Sequence, residues 1–112
     1  MILLADGNSR QAIAFLEKAV KENPAYALSH YHLGRALAFE EKWARAGLEL
    51  ETAVKRKPDL SEAYYHLSRV YRKLGRTEDE AHALEKFRKS RAREDTEREQ
   101  LLRMVREQQE AP

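Results

Sequence analysis

The chain has 112 residues, 42% of them apolar and 36% charged, with only four Gly, three Pro and no Cys. That much apolar content excludes wholesale disorder, and the missing cysteines exclude disulfides and thiolate chemistry. The formal net charge of +2 is too even to argue for nucleic-acid or membrane-surface binding, and no apolar run approaches the ~20 residues of a membrane-spanning helix. Few breakers and many Ala, Leu, Glu, Lys and Arg predict an all-helical chain. The compartment stays open, with the cytoplasm as the default and any signal peptide expected upstream.

The chain matches itself when shifted by 34 residues. Residues 7–26 lie over 41–60, placing Ala12, Leu16, Glu17, Ala19, Val20, Lys21 and Pro24 on Ala46, Leu50, Glu51, Ala53, Val54, Lys55 and Pro58. Residues 27–60 lie over 61–94, placing Tyr31, His32, Leu33 and Arg35 on Tyr65, His66, Leu67 and Arg69. Each period holds two helical patterns. Apolar or small residues recur at 30, 33, 34 and 37, then at 46, 50, 53 and 54, each set forming one stripe of a 3.6-residue helix. Gly7 and Gly75 suit the left-handed residue that ends a helix, whereas Glu41 holds that slot in the middle period and specifies the turn less well. Asn23-Pro24 and Lys57-Pro58 separate the periods, the proline stopping one helix and suiting the first turn of the next. Asp59…Glu62 and Thr77…Glu80 have capping-box spacing.

These segments resemble the tetratricopeptide repeat family. The family pattern of a large residue, then Leu-Gly, Tyr, Ala, Phe, Ala and Pro at fixed spacing reads here as His30, Leu33-Gly34, Leu37, Ala46, Leu50, Ala53 and Pro58. The next period gives Tyr64, Leu67-Ser68 and Tyr71, but Glu80 and Phe87 replace its small residues and Ala92 replaces Pro. The resemblance implies an all-α, right-handed solenoid of antiparallel hairpins over residues 1–94. It divides into a partial first repeat (1–26), a second (27–60) and a degenerate third (61–94), followed by a charged C-terminal helix at 95–112. The small residues Gly34, Ala46 and Ala53 let helix axes approach closely, while Leu33, Leu37, Leu50, Leu67, Tyr71 and Leu84 fill the seam. The incomplete first repeat suggests a segment of a longer array, leaving Ile2, Leu3 and Leu4 as an apolar edge.

From Thr77 to Glu110 there is no Gly or Pro, so one long helix is allowed, supported by Glu94–Arg98 and Glu99–Arg103 at i,i+4. Leu101, Leu102 and Val105 fall in the phase of a further repeat's first helix. Two arrangements stay open: a capping helix started by Thr96…Glu99, or a projecting helix whose apolar tip meets a partner or a second copy.

No pattern supports catalysis. There is no nucleophile with a matched base, no phosphate loop, and the carboxylates fit exposed helix positions. His32 and His66 are repeat-equivalent, but no third ligand has metal-site spacing, so neither metal nor cofactor is expected. His30 is expected to pack in the slot of Tyr64, and Trp43 against the neighbouring turn. The informative surface is the far face of the first helices, which in the family lines a concave groove. It carries Leu28, Tyr31, His32, Arg35 and Phe39, then Glu62, Tyr65, His66, Arg69, Arg72 and Lys73. Tyr and Arg are enriched at binding hot spots, and Arg holds carboxylates in a bidentate grip. The Lys/Asn clamp with which some family members hold chaperone C-termini is not matched, since Tyr31 and Arg35 stand in its place. The expectation is a non-catalytic scaffold for a protein or peptide, an acidic one favoured, with no nucleic-acid or membrane partner. The alternatives are a self-association module using Ile2, Leu3, Leu4, Leu101, Leu102 and Val105, yielding a homo-oligomer, or a regulatory array attached to an upstream enzyme or receptor.

Overall fold

The structure, a computed structural model, describes residues 8–110. Among them the chain forms five helices: α1 (Asn8–Glu22), α2 (Ala27–Phe39), α3 (Trp43–Arg56), α4 (Ser61–Lys73) and α5 (Thr77–Glu110). The expected apolar edge Ile2, Leu3 and Leu4, and the turn at Gly7, lie outside the described residues. α2 with α3 and α4 with α5 form two antiparallel hairpins, with α1 packed on α2 and α3 on α4. This is the expected all-α solenoid.

The two intra-hairpin turns are the same structure one period apart. Lys42 N–H donates to the Leu37 carbonyl at 2.9 Å, and Arg76 N–H to the Tyr71 carbonyl at 2.9 Å. The residue before each donor has a left-handed backbone, with φ 61° at Glu41 and 73° at Gly75. Such a residue lets the chain reverse and satisfy the last helical carbonyls. Glycine adopts it without strain, and Glu41 adopts it because the packed hairpin on either side requires it. The inter-hairpin turns also repeat. Tyr26 N–H reaches the Asn23 carbonyl and Leu60 N–H the Lys57 carbonyl, each at 3.2 Å. Pro24 and Pro58 therefore occupy the second position of a four-residue turn, where their fixed φ is favourable, rather than the first turn of the outgoing helix.

The core follows the small-residue slots. Ala36, Leu37, Ala46, Leu50, Ala53 and Ala63 are fully buried. A Cβ added at Gly34 would lie 2.6 Å from Leu50 Cγ and 3.2 Å from the Ala46 carbonyl oxygen, so the α2–α3 approach depends on glycine there. The degenerate third repeat replaces this arrangement with Ala83 and Ser90, which are buried, and Leu84, which is half-buried.

The capping boxes do not form. Leu60 stands at the N-cap of α4 without a side-chain bond, and Glu80 instead accepts from Arg72 Nε at 2.8 Å across the hairpin. α5 runs unbroken for 34 residues, about 51 Å at 1.5 Å per residue. It packs along α4 as far as Glu94, which accepts the Ser61 hydroxyl at 2.6 Å. Arg98 accordingly sits 3.8 Å from Asp95 rather than pairing with Glu94, and Glu99–Arg103 is not among the ion pairs formed. Residues 95–110 are all exposed. Thr96 donates back to the Ala92 carbonyl within the helix at 3.0 Å, so it starts no new helix. Of the two arrangements the sequence allows, the helix takes the projecting one. The radius of gyration, 17.2 Å, exceeds the ~13 Å of a compact domain this long for the same reason.

Candidate interaction groove

The first helices α2 and α4 lie side by side, and their equivalent positions form a continuous row of rings. His32 meets Tyr31 at 5.0 Å, Tyr31 meets His66 at 5.8 Å, and Tyr65 meets Phe87 of α5 at 5.5 Å between centroids, each with tilted rings, while His66 meets Tyr65 edge to face at 5.4 Å. Arg35 sits 5.6 Å from the Tyr31 centroid, and Arg69 repeats the contact at 6.0 Å over Tyr65. The 34-residue duplication thus copies a Tyr–His–Arg cluster onto the neighbouring helix.

Burial divides the cluster. Tyr31 is only 6% exposed, so it forms the wall beneath the groove rather than the contact surface expected from its face. The reason is the neighbouring helix, which lays His66 over it. Burial raises the Tyr31 phenol above its ordinary value, with the Arg35 guanidinium opposing the shift. His66 is pushed down to about 4 by burial and by the nearby Arg35 and Arg69 charges. Burial, then Arg35, lowers His32 as well, and its Nδ1 is buried without a hydrogen-bond partner among the described residues. At neutral pH the row therefore presents neutral imidazoles, and the groove's positive charge comes from Arg35, Arg69 and Lys73. None of these three pairs with a carboxylate of the described residues.

Tyr65 and Phe39 reach solvent, at 41% and 55% exposure. Leu28 is half-buried and packs on the core. Arg72 turns to Glu80 across the α4–α5 hairpin, away from the arginine row. His30 is buried as expected: Nε2 lies 2.7 Å from the Pro24 carbonyl and Nδ1 2.8 Å from Glu49. Tyr64 makes the equivalent bond one repeat on, donating to the Pro58 carbonyl at 2.9 Å. No group of three or more His, Cys, Asp or Glu with metal-site geometry occurs among the described residues. At the tail, Leu101, Leu102 and Val105 are exposed, joined by Met104.

One residue has a second role beyond the turn packing expected of it. Trp43, at the start of α3, packs partly on the core but also walls a hollow of about 190 Å³ together with Phe39, His66, Arg69, Val70 and Lys73. Lys73 Nζ lies 5.7 Å from the Trp43 centroid. Three helices build this hollow, so no single-helix pattern reveals it. Phe39 and Lys73, which stand 34 residues apart, were the available clue.

Comparison with known proteins agrees with the repeat architecture. One tetratricopeptide repeat profile matches residues 3–59, and a second matches residues 39–94. No curated protein sequence matches the chain. The crystal structure of MamA superposes with a TM-score of 0.68 at 24% sequence identity, a likeness of fold. The match covers 83% of this chain and 53% of the MamA chain, so the present chain spans about half of that protein. With family profiles along most of its length and the paired-helix period in its coordinates, the chain belongs to the tetratricopeptide repeat family.

Proposed function

We propose that the chain is a non-catalytic scaffold that receives an acidic peptide or amphipathic helix along the face shared by α2 and α4. In general terms, its repeats make it a protein-interaction scaffold, and repeats of this family are typically non-catalytic. The observation that carries the finer reading is the duplicated Arg-over-Tyr pair at Arg35–Tyr31 and Arg69–Tyr65, with both guanidinium groups unpaired by any described carboxylate. A cation resting on a ring face keeps its charge for an incoming carboxylate, and the ring holds it in place. Exposed Phe39 and Tyr65 add apolar area that a partner gains by burying.

The test is the pair Arg35→Glu with Arg69→Glu. Peptides selected from a displayed library on the wild-type chain should be rich in Asp and Glu. Calorimetry should show the double variant binding them at least tenfold more weakly, with unchanged melting. Undiminished affinity in the folded variant would refute the groove.

A second reading has its own observation. Leu101, Leu102, Met104 and Val105 form an exposed apolar patch near the end of the projecting part of α5, which suits self-association into a homo-oligomer. Sedimentation of the chain with and without residues 96–112 separates the readings, since only self-association predicts a concentration-dependent mass that the deletion abolishes.

A further inference from the structure

Resting on the groove reading, we propose that the hollow walled by Trp43 is an anchor subsite for one apolar side chain that carries a carboxylate on the same or the next residue. Three observations converge on that chemistry. First is size: about 190 Å³ falls below the ~300 Å³ at which pockets for small-molecule ligands and cofactors begin. A single side chain fits, and a nucleotide does not. Second is the lining. Phe39, Trp43 and Val70 supply an apolar wall, and His66 adds a ring held uncharged by its burial. Third is the rim. Arg69 and Lys73 stand one helical turn apart on α4, Lys73 resting on the Trp43 ring, and no acidic residue lines the hollow. A lysine or arginine side chain is repelled there. A bare anion gains the cations but leaves the apolar wall wet. An apolar group with a nearby carboxylate satisfies both halves at once.

Trp43 is the only tryptophan of the chain, so its emission reports on the hollow. Five probes are titrated into the full chain: acetyl-leucyl-glutamic acid α-amide, acetyl-leucine, acetyl-leucinamide, acetyl-glycyl-glutamic acid α-amide and inorganic phosphate. The first two separate a side-chain carboxylate from a terminal one. At least one of them should shift the Trp43 emission saturably and bind tenfold or more tightly than the last three. Lys73→Gln should remove most of that advantage and leave acetyl-leucinamide binding unchanged. Phe39→Ala should weaken every leucine probe. Both residues are exposed, so both variants should fold as wild type does. Equal binding of leucinamide makes the hollow merely apolar. Equal binding of phosphate makes it a plain anion site. Silence of Trp43 with all probes empties it. Each of these results overturns the proposal. The two readings fail separately: a library-selected peptide that still binds through Arg35 and Arg69 while Trp43 stays silent removes the anchor and leaves the groove, whereas undiminished affinity in the folded Arg35→Glu, Arg69→Glu variant removes the groove.

Discussion

The tightest point of the fold is where α2 meets α3, and a single methyl group tests it. In Gly34→Ala the new Cβ would stand 2.6 Å from Leu50 Cγ and 3.0 Å from Leu50 Cδ2, about 1 Å inside the usual carbon–carbon separation. Leu50 is fully buried, and the other neighbour is the Ala46 carbonyl, which is backbone. Neither gives way cheaply. Overpacking of this kind costs about 1–3 kcal/mol, and alanine returns about 1 kcal/mol of helix propensity over glycine. An overlap at 2.6 Å against a buried side chain falls in the upper part of that range, about 2–3 kcal/mol, so the balance is a loss of about 1–2 kcal/mol, which at a typical urea slope moves the unfolding midpoint down by about 1 M. The companion variant Gly34→Ala with Leu50→Ala locates the cause. Leu50→Ala alone should cost about 2–5 kcal/mol, and the added methyl then enters vacated space, so the two losses combine to less than their sum. Gly47→Ala is the control, because its nearest neighbour, Val70 Cγ1, is 3.4 Å away and propensity should prevail there. If Gly34→Ala proves as stable as wild type or more so, the close approach does not exist and the seam assignment is wrong.

Three further outcomes follow from the same geometry. Glu41→Gly should raise stability by about 0.5–1 kcal/mol in urea titration, because a side chain at positive φ carries backbone strain that glycine lacks. Gly75→Ala should lower it by a similar amount although nothing lies within 4 Å of an added Cβ, a pure backbone cost. His30→Leu strips the Pro24 carbonyl and Glu49 of their shared partner and should cost about 2 kcal/mol; His30→Tyr, which copies the Tyr64 bond to Pro58, should recover more than half of that loss by thermal melting. His66 has a folded-state value of about 4 against ~6.5 when unfolded. The unfolded chain therefore takes up a proton that the folded chain refuses, and stability should fall as pH drops through that window and level off below it. Partial exposure screens the effect to about 1 kcal/mol, and His66→Gln should flatten the pH 4–6.5 limb.

The repeat period, the seam residues and the all-α fold are legible in the sequence because they rest on local features: small residues at fixed spacing, helix periodicity and turn-forming prolines. What the sequence misses depends on neighbours brought in by folding. Glu80 has capping-box spacing, yet Arg72 across the hairpin competes for its carboxylate with a charged partner at 2.8 Å. Glu94 has i,i+4 spacing to Arg98, yet the start of α4 offers it the Ser61 hydroxyl. Tyr31 lies on the groove face of α2 by helical phase, yet the equivalent helix one repeat on covers it. The tail was ambiguous because its phase and its lack of breakers point different ways. Continuity prevails where no breaker interrupts the backbone hydrogen bonds.

Duplication also explains why the groove is chemically uneven. Where both repeats keep the same residue, as at Tyr31 and Tyr65 or Arg35 and Arg69, the structure repeats the same contact. Where they diverge, the contact changes character while the backbone stays in register. His30 and Tyr64 both reach the carbonyl of the preceding proline, but only His30 adds a carboxylate partner. Phe39 and Lys73 occupy one slot of the period, and α2 and α4 bring the two together around Trp43. The divergent slot thus contributes both an aromatic ring and an ammonium to the lining of one hollow. Selectivity in such an array can change through exposed slots while stability is held by Gly34, Ala46, Leu50 and Ala53. Swapping Phe39 and Lys73 should accordingly leave the fold intact and alter what the groove accepts.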